Sequence, residues 1–271
     1  MKKIGLIGYG WVGKQFAEAF REQYAFWGTT TSEDKKAKLE QENLRTFLYN
    51  SNDPVPAEMH QEIEKSDVIV LTIPPGRTQS ANGIQEDKEA YFKQLERLIS
   101  SIPAERKIIF TSSTGIYQQQ KGIVFENDIQ PAAEDNSMAC IEWRLQQKFK
   151  NNLTVLRLGG LVSDDRHYGH FFAGKENLPF GLDFVNIVHT GDVIRVIEQV
   201  IERNVFGETF NVVSDCHQTR DEFYGNFCKN RNLKPPVFQQ NASPNAKIVE
   251  NKKVKELLGI TFKNLSEQVK N

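Results

Sequence analysis

Gly8-Tyr9-Gly10-Trp11-Val12-Gly13 is the most informative segment of this 271-residue chain for its fold. It follows a short apolar run at residues 4–7, and it opens a segment with Phe16, Ala17 and Phe20 at helical spacing. Glycines between a strand and a helix permit a tight turn, a close backbone approach to a phosphate and close helix packing. The N–H groups at the helix start favour an anion. We therefore predict a dinucleotide site that all residues of this stretch contact.

Short β-branched runs alternate with longer helical patterns on both sides of this motif. The predicted strands cover residues 4–7, 24–29, 45–49, 68–73, 108–111, 154–158 and 208–213. The predicted helices cover residues 87–100, 133–150, 192–202 and 221–230. This alternation predicts an α/β fold of the Rossmann type, with a doubly wound parallel sheet. We expect a dinucleotide-binding domain at residues 1–160 and a smaller substrate-side region at residues 161–271, interleaved with the sheet.

Composition and charge exclude several classes of partner. The formal net charge is -1, and no run of Lys and Arg suggests nucleic acid or an anionic membrane surface. The mean hydropathy is -0.51, and no segment has the roughly 18 to 20 apolar residues that a membrane span needs. Cys140, Cys216 and Cys228 lack metal-binding spacing, which predicts no metal site and favours a reducing compartment. We expect a soluble, cytoplasmic monomer or homodimer with a small-molecule substrate.

The residues after the second predicted strand bear on the choice of cofactor. An NAD site usually has Asp or Glu about 20 residues beyond the glycines, to bind the ribose 2′-hydroxyl. This chain instead has Thr30, Thr31 and Ser32 there. The first acidic residues, Glu33 and Asp34, come slightly late, and Lys35 and Lys36 follow at once. Hydroxyls and an ammonium suit a 2′-phosphate, so the sequence favours NADP over NAD, with Thr30, Thr31 and Lys35 as contacts. The alternative is that the lysines belong to an ordinary solvated face.

The fourth predicted strand ends in a Pro-Pro-Gly turn. Ligands lie at the carboxyl ends of parallel strands. We therefore expect Ile73, Pro74 and Pro75 to line the cofactor cleft, with a purely structural turn as the alternative.

Four later segments carry a family resemblance, and they occur in order along nearly the whole chain. They are residues 111–117 (TSSTGIY), 156–161 (LRLGGL), 185–193 (VNIVHTGDV) and 207–212 (GETFNV). Together with the glycine motif they resemble the extended short-chain dehydrogenase/reductases, the NAD-dependent epimerase/dehydratase family. The resemblance implies an NAD(P)-dependent oxidoreductase or epimerase/dehydratase-like protein that acts on a small, possibly carbohydrate-like substrate.

The chain departs from this family at the catalytic pair. The family uses Tyr-x-x-x-Lys as its acid/base, in the helix after the Ser-Ser strand. Residues 131–150 contain no tyrosine, and the best alignment places Ser137 and Ile141 at the two positions. What remains is Ser113, which in the family hydrogen-bonds the reacting oxygen, with Thr114 beside it. His167 is our candidate for a substitute acid/base, because histidine titrates near neutrality.

Each of these catalytic assignments has a structural alternative. The hydroxyls of Ser113 and Thr114 could simply cap a strand end, and His167 or His170 could be surface residues. Tyr117 could face the cleft, while Arg157 could pair with an anionic substrate or serve a structural ion pair.

Two other functions stay open at this stage. One is a catalytically silent NADP-binding sensor or regulator, since the phosphate-binding motif is intact while the catalytic pair is missing. The other comes from the first eighty residues, which also look like β-hydroxyacid dehydrogenases. The later predicted strands argue against the mostly helical second domain of those proteins. The sequence does not name the substrate.

Overall fold

The computed structural model describes most of the chain. The described residues are 1–50, 53–73, 77–80, 83–86, 88–129, 138–164 and 168–266. The strands are β1 (Lys2–Ile7), β2 (Tyr24–Thr30), β3 (Arg45–Leu48), β4 (Val68–Leu71), β5 (Arg77–Ser80), β6 (Gly83–Glu86), β7 (Lys107–Ser113), β8 (Gly122–Val124), β9 (Leu153–Leu158), β10 (Gly160–Val162), β11 (Ile187–His189), β12 (Thr209–Val212) and β13 (Lys247–Val249). The helices are α1 (Trp11–Phe20), α2 (Glu33–Gln41), α3 (Ala57–Glu64), α4 (Lys88–Ser101), α5 (Met138–Phe149), α6 (Tyr168–Phe172), α7 (Thr190–Glu202), α8 (Arg220–Asn230) and α9 (Lys252–Leu258).

Seven strands form the central parallel sheet, in the order β12-β9-β7-β4-β1-β2-β3. The order reverses at β1, which pairs with β2 on one side and with β4 on the other, both in parallel. Ligands of doubly wound sheets bind at the carboxyl ends of the strands next to this reversal. The Rossmann-type fold predicted from the sequence is therefore confirmed, and the glycine motif follows the strand at the reversal point.

The chain divides into two compact units. The first unit contains the described residues within Met1–Ser112, Gln130–Val155 and Val200–Glu208. Its core is an apolar cluster that includes Ile7, Trp27, Ile69, Phe110 and Leu145. Trp27 is fully buried, and its indole N–H donates to Ser66 Oγ over 2.8 Å. The indole fits because its register partner across β1 and β2 is Gly5, where a Cβ atom would lie 2.6 Å from the ring.

The second unit contains the described residues within Ser113–Ile129, Leu156–Gln199 and Thr209–Asn271. One of its apolar clusters joins Val162, Ile187, Phe223, Tyr224 and Phe238 among other buried residues. A smaller cluster is built on Tyr117 and Val124. The sequence-based boundary at residue 160 remains a prediction about how the chain is organised.

All seven predicted strands are present, and each predicted helical segment contains a helix. Residue 87 and residues 133–137 of the predicted helices lie outside the described residues. The helix α2 was not predicted, and the reason is visible in its composition. Leu39 is its single buried residue, so the segment lacks the apolar periodicity that reveals an amphipathic helix. The strands β8, β10, β11 and β13 were also missed, because three residues are too few to show alternation. Within the described ranges, no helix is both long and apolar enough to cross a membrane.

Candidate functional site

The loop between β1 and α1 is held from two sides by threonines. Gly8 has a φ of 105°, a left-handed conformation that favours glycine. Its amide donates to Thr29 Oγ1 over 2.9 Å, and its carbonyl oxygen accepts a 2.6 Å hydrogen bond from Thr72 Oγ1. The amide of Tyr9 donates to the Thr29 carbonyl over 2.7 Å. The loop conformation is therefore fixed by β2 and by the residue that follows β4.

The three glycines of the loop differ in the space around them. A Cβ atom at Gly13 would lie 2.4 Å from the carbonyl oxygen of Gly8, so close packing demands glycine there. At Gly10, by contrast, the nearest heavy atoms would be 4.0 Å from such a Cβ atom. Gly10 has an ordinary extended backbone, and within the described residues 1–50 no side chain caps α1 and no acidic residue lies in its first turn. Open space and uncapped amides at a helix start fit a pyrophosphate group.

The side chains of this loop point in different directions. Tyr9 is 1% exposed, and its ring lies over Gly28, where a Cβ atom would be 2.6 Å from the ring. The Tyr9 hydroxyl has no hydrogen-bond partner among the described residues, and burial raises its pKa. Val12 is also buried, whereas Trp11 is partly exposed. Any cofactor contact of Tyr9 or Val12 would therefore come from the backbone, and such contacts remain predictions.

The end of β2 leads into α2 through a short capped turn. Thr30 is buried and Thr31 is exposed. The Ser32 hydroxyl caps α2 by accepting a 3.3 Å hydrogen bond from the amide of Lys35. The Lys35 side chain is half-buried, and burial followed by repulsion from Lys14 lowers its pKa. Lys14 lies directly after the glycine motif, and no sequence pattern marks it as a neighbour of Lys35.

Of the three cofactor contacts predicted at the end of β4, only Ile73 lies among the described residues. Ile73 is partly buried and packs against the apolar core of the first unit. Pro74 and Pro75 lie outside the described residues. Thr72, which was predicted as part of the strand, is the residue whose hydroxyl holds the glycine loop in place. Nothing in the sequence distinguishes its role from that of an ordinary strand threonine.

The two serines at the end of β7 have different environments. Ser112 is buried and donates to Glu142 Oε1 over 2.6 Å. Ser113 is exposed, and its Oγ accepts a 3.0 Å hydrogen bond from the amide of Gly115. This bond caps the short 3-10 turn at Thr114–Tyr117. Thr114 is partly exposed. Ser113 therefore does cap this turn. Among the described residues no acceptor is found for its hydroxyl proton, which could serve a ligand oxygen.

Tyr117 and Arg157 belong to a buried polar network inside the second unit. The Tyr117 hydroxyl donates to Asn211 Oδ1 and accepts from Arg157 Nη1, both over 2.7 Å. Arg157 also donates to the Glu126 carbonyl over 2.8 Å. The Glu126 carboxylate accepts from the Asn211 amide over 2.8 Å. Tyr117 is fully buried and Arg157 is 1% exposed, and burial raises the pKa of Tyr117. This geometry supports the structural reading of Arg157.

The histidines of interest are distributed over several elements. His167 lies outside the described residues, while His170 is exposed and packs edge-on against Phe227. His189 Nδ1 accepts a 3.1 Å hydrogen bond from the amide of Gly191 at the start of α7. Asp192, in the first turn of α7, accepts from the amide of Lys263 over 2.9 Å and pairs with the Arg195 guanidinium.

These observations define a class of fold: the chain has the fold of the extended short-chain dehydrogenase/reductases and NAD-dependent epimerases, as the family resemblance implied. No family model matches the sequence. Protein YeeZ of Escherichia coli K12 is 28% identical over 271 residues, which is 97% of this chain and 96% of that protein.

Two solved structures give the structural comparison. UDP-glucuronic acid 4-epimerase from Bacillus cereus, in complex with NAD, superposes with a TM-score of 0.76 at 15% identity, over 100% of this chain and 94% of that one. A short-chain dehydrogenase/reductase superfamily protein from Agrobacterium tumefaciens, with bound NAD, has a TM-score of 0.74 at 14% identity, over 98% and 94% of the two chains.

Proposed function

We propose that this protein is an NAD(P)-dependent oxidoreductase or epimerase/dehydratase-like enzyme that binds its dinucleotide at the glycine loop of the first unit. The observation that carries the proposal is the open space at Gly10, between the clamped Gly8 and the closely packed Gly13. A backbone fixed in this way, at the start of an uncapped helix, suits a pyrophosphate. The solved structures with NAD support a nicotinamide cofactor for the same fold.

The substrate is proposed to be small and carbohydrate-like. Support comes from the structurally similar UDP-glucuronic acid 4-epimerase of Bacillus cereus. A bound nicotinamide supplies a hydride acceptor or donor. Ser113 is proposed to donate its hydroxyl proton to the substrate oxygen, because its lone pair already accepts the Gly115 amide. Thr114 assists this contact, and His167 is proposed as the acid/base.

NADP is the proposed form of the cofactor. Thr30, Thr31 and Lys35 follow or end β2, where a ribose 2′-substituent is recognised in this class of site. Neither Asp nor Glu occupies residues 27–32, so no carboxylate in that stretch would repel a phosphate. NAD in the solved structures is a property of those proteins and does not decide the form used here.

The test is a titration with NADPH, NADP, NADH and NAD, followed by nicotinamide fluorescence and by thermal shift. We expect saturable binding, tightest for the NADP forms. Gly10→Ala should weaken binding by about tenfold or more, roughly 1.4 kcal/mol, because its methyl group fills the open space. The Gly10→Ala protein should still fold, because the methyl group meets no heavy atom closer than 4.0 Å.

Gly225→Ala is the matched control. Gly225 lies in α8, away from the glycine loop in sequence, and a Cβ atom there meets no atom within 4 Å. It should leave binding unchanged. If the unmodified protein binds none of the four dinucleotides, the proposal is wrong.

A catalytically silent NADP-binding sensor is the second candidate. The observation that favours it is the absence of tyrosine from α5, the helix that follows the Ser-Ser strand. In addition, the hydroxyls of Ser112 and Tyr117 are engaged with Glu142 and Asn211. Binding of NADP without any hydride exchange, across a panel of nucleotide sugars and simple alcohols, would favour the sensor. Turnover that Ser113→Ala removes, at unchanged NADPH affinity, would favour the enzyme.

A further inference from the structure

A cavity of about 500 Å³ lies at the amino ends of three neighbouring strands of the first unit. Its wall includes Lys2 at the start of β1, Val68 at the start of β4 and Lys107 at the start of β7. The glycine loop follows the opposite end of β1, and a strand of six residues spans about 20 Å. The cavity is therefore separate from the proposed dinucleotide site, and its volume is typical of small-molecule sites.

Two carboxylates on the wall of this cavity already have partners within the protein. Glu202 accepts a 2.6 Å hydrogen bond from the Tyr24 hydroxyl and lies 2.9 Å from Lys2 Nζ. These two contacts lower the pKa of Glu202. Asp67 Oδ2 accepts a 2.7 Å hydrogen bond from the amide of Lys3. Each of these negative charges is therefore compensated by donors of the protein itself.

The third carboxylate on the described part of the wall, that of Glu105, acts on a cation of α5. Glu105 is exposed. Burial lowers the pKa of Lys148 on α5, and the charge of Glu105 opposes this shift. Opposite charges affect each other in this way only when they are close. The three carboxylates thus all interact with donors or cations of the first unit.

Arg106, directly before β7, donates only to neutral groups. Its Nη atoms donate to the carbonyl oxygens of Glu64 and Ser66, over 2.9 Å to that of Ser66. Its Nε atom is buried, and no acceptor for that N–H is found among the described residues. A buried donor without an acceptor is costly. An acceptor atom of a ligand in the cavity would satisfy it.

Lys107 also lacks an anionic partner. Its ammonium donates to Asn204 Oδ1 and lies 5.2 Å from the centroid of the Phe206 ring. In the described part of the chain it forms no ion pair. An ammonium has further N–H donors beyond the one that a single acceptor uses. The wall therefore presents unused cationic donors beside an aromatic ring, since Asn204 and Phe206 also line the cavity.

We propose that this cavity binds a small organic carboxylate. Its anionic group accepts from the Arg106 Nε–H and the Lys107 ammonium, and its apolar part lies against the Phe206 ring. The two oxygens of a carboxylate suit two cationic donors on one wall. Inorganic phosphate could use the same donors but would leave the aromatic ring without a partner. The inference goes beyond the proposed function, because this site and the glycine loop lie at opposite ends of β1.

The experiment compares 2-naphthoate with 2-naphthamide, which has the same rings without the charge, in fluorescence titrations of the full chain. We expect saturable binding of the carboxylate, about tenfold tighter than that of the amide. Lys107→Gln keeps a hydrogen-bond donor but removes the charge, and it should weaken naphthoate binding by about tenfold. Lys107→Arg keeps the charge and should retain most of the affinity. Neither inorganic phosphate nor saturating NADPH should displace the naphthoate.

Lys38→Gln is the matched control, since it removes the same charge from an exposed position on α2. It should leave the naphthoate affinity unchanged, and thermal shift verifies that each variant is folded. Equal affinities for naphthoate and naphthamide in the unmodified protein would overturn the inference, as would unchanged naphthoate binding in Lys107→Gln.

Competition identifies the other ways in which the inference could be wrong. Displacement of naphthoate by phosphate would show that the ring contributes nothing, and displacement by NADPH would assign the naphthoate to the dinucleotide site. Either result would overturn the inference. A protein that binds naphthoate as expected but none of the dinucleotides would support this site and contradict only the proposed function.

Discussion

The glycine loop and the network around Arg157 are both ordered by hydrogen bonds. They differ in whether open space remains once those bonds are formed. In the loop, Thr29 and Thr72 fix the backbone of Gly8, while the space at Gly10 stays open. In the network, the Tyr117 hydroxyl both donates and accepts, and Arg157 is almost completely buried. The loop thus keeps open space where we propose a ligand, whereas the polar groups of the network are satisfied by one another within the second unit.

The largest expected effect concerns the buried network around Arg157, for which we infer a structural role. Arg157→Met keeps the bulk of the side chain but leaves Tyr117 and the Glu126 carbonyl without their donor. We expect the free energy of unfolding to fall by about 3–5 kcal/mol, measured by urea denaturation. Tyr117→Phe should cost less, about 1–3 kcal/mol. A stable Arg157→Met protein with altered dinucleotide affinity would break the comparison.

The second prediction separates two glycines of the same loop. Gly13→Ala places a methyl group 2.4 Å from the Gly8 carbonyl oxygen, so the helix must move. We expect a loss of about 1–3 kcal/mol of stability, measured by the same denaturation. Gly10→Ala should stay within about 0.5 kcal/mol of the parent, since its methyl group meets nothing closer than 4.0 Å. Equal costs at the two positions would mean that the space at Gly10 is not open.

The third prediction tests whether the hydrogen bond from Thr72 to the glycine loop contributes to dinucleotide binding. Thr72→Val removes the hydroxyl that donates to the Gly8 carbonyl and should lower the free energy of unfolding by about 1 kcal/mol. It should also weaken NADPH binding severalfold, because the loop is less fixed. Thr111→Val removes a similar bond, from Thr111 Oγ1 to the Leu71 carbonyl over 3.1 Å. This control should lose stability without losing NADPH affinity. An equal loss of NADPH affinity would contradict a specific role of the Thr72 bond in binding.

The smallest effect concerns the buried tyrosine of the loop. Tyr9→Phe removes a hydroxyl that has no partner among the described residues, so stability should be unchanged or up to about 1 kcal/mol higher. Tyr24→Phe is the contrast, because the Tyr24 hydroxyl donates to Glu202 Oε1 over 2.6 Å. Thermal unfolding of both variants provides the measurement. A destabilised Tyr9→Phe protein would show that the hydroxyl has a partner after all.

The fold was predictable from sequence because its signals are local. The glycine motif at Gly8–Gly13 lies between a strand and a helix, and that order alone fixes its place in a doubly wound sheet. The helix α2 was not predictable, since only Leu39 among its residues is buried.

The candidate site was less predictable, because its contacts join distant parts of the chain. The bond from Thr72 to Gly8 spans 64 residues, and the bond from Arg157 to Tyr117 spans 40. Single-residue patterns cannot show such pairs. The sequence therefore did not distinguish a ligand contact from a structural role for Arg157, and no sequence pattern indicated the contacts of Lys14.

The capping of α7 by His189 makes this helix sensitive to acid. Its Nδ1 accepts the Gly191 amide, so a proton on that nitrogen would replace an acceptor with a donor facing a donor. Burial, reinforced by Lys263, lowers the His189 pKa. Below an unfolded-state pKa of about 6.5, the unfolded chain binds a proton that the folded chain refuses. The free energy of unfolding therefore falls as pH drops.

His189→Asn should show a smaller fall in thermal stability between about pH 7.5 and pH 5.5, because an amide oxygen caps helices and does not titrate. An equal fall in both proteins would assign the acid sensitivity to other groups. The start of α2, capped by the hydroxyl of Ser32, has no such dependence. Two helices of one chain thus begin with caps that respond differently to the same change in proton concentration.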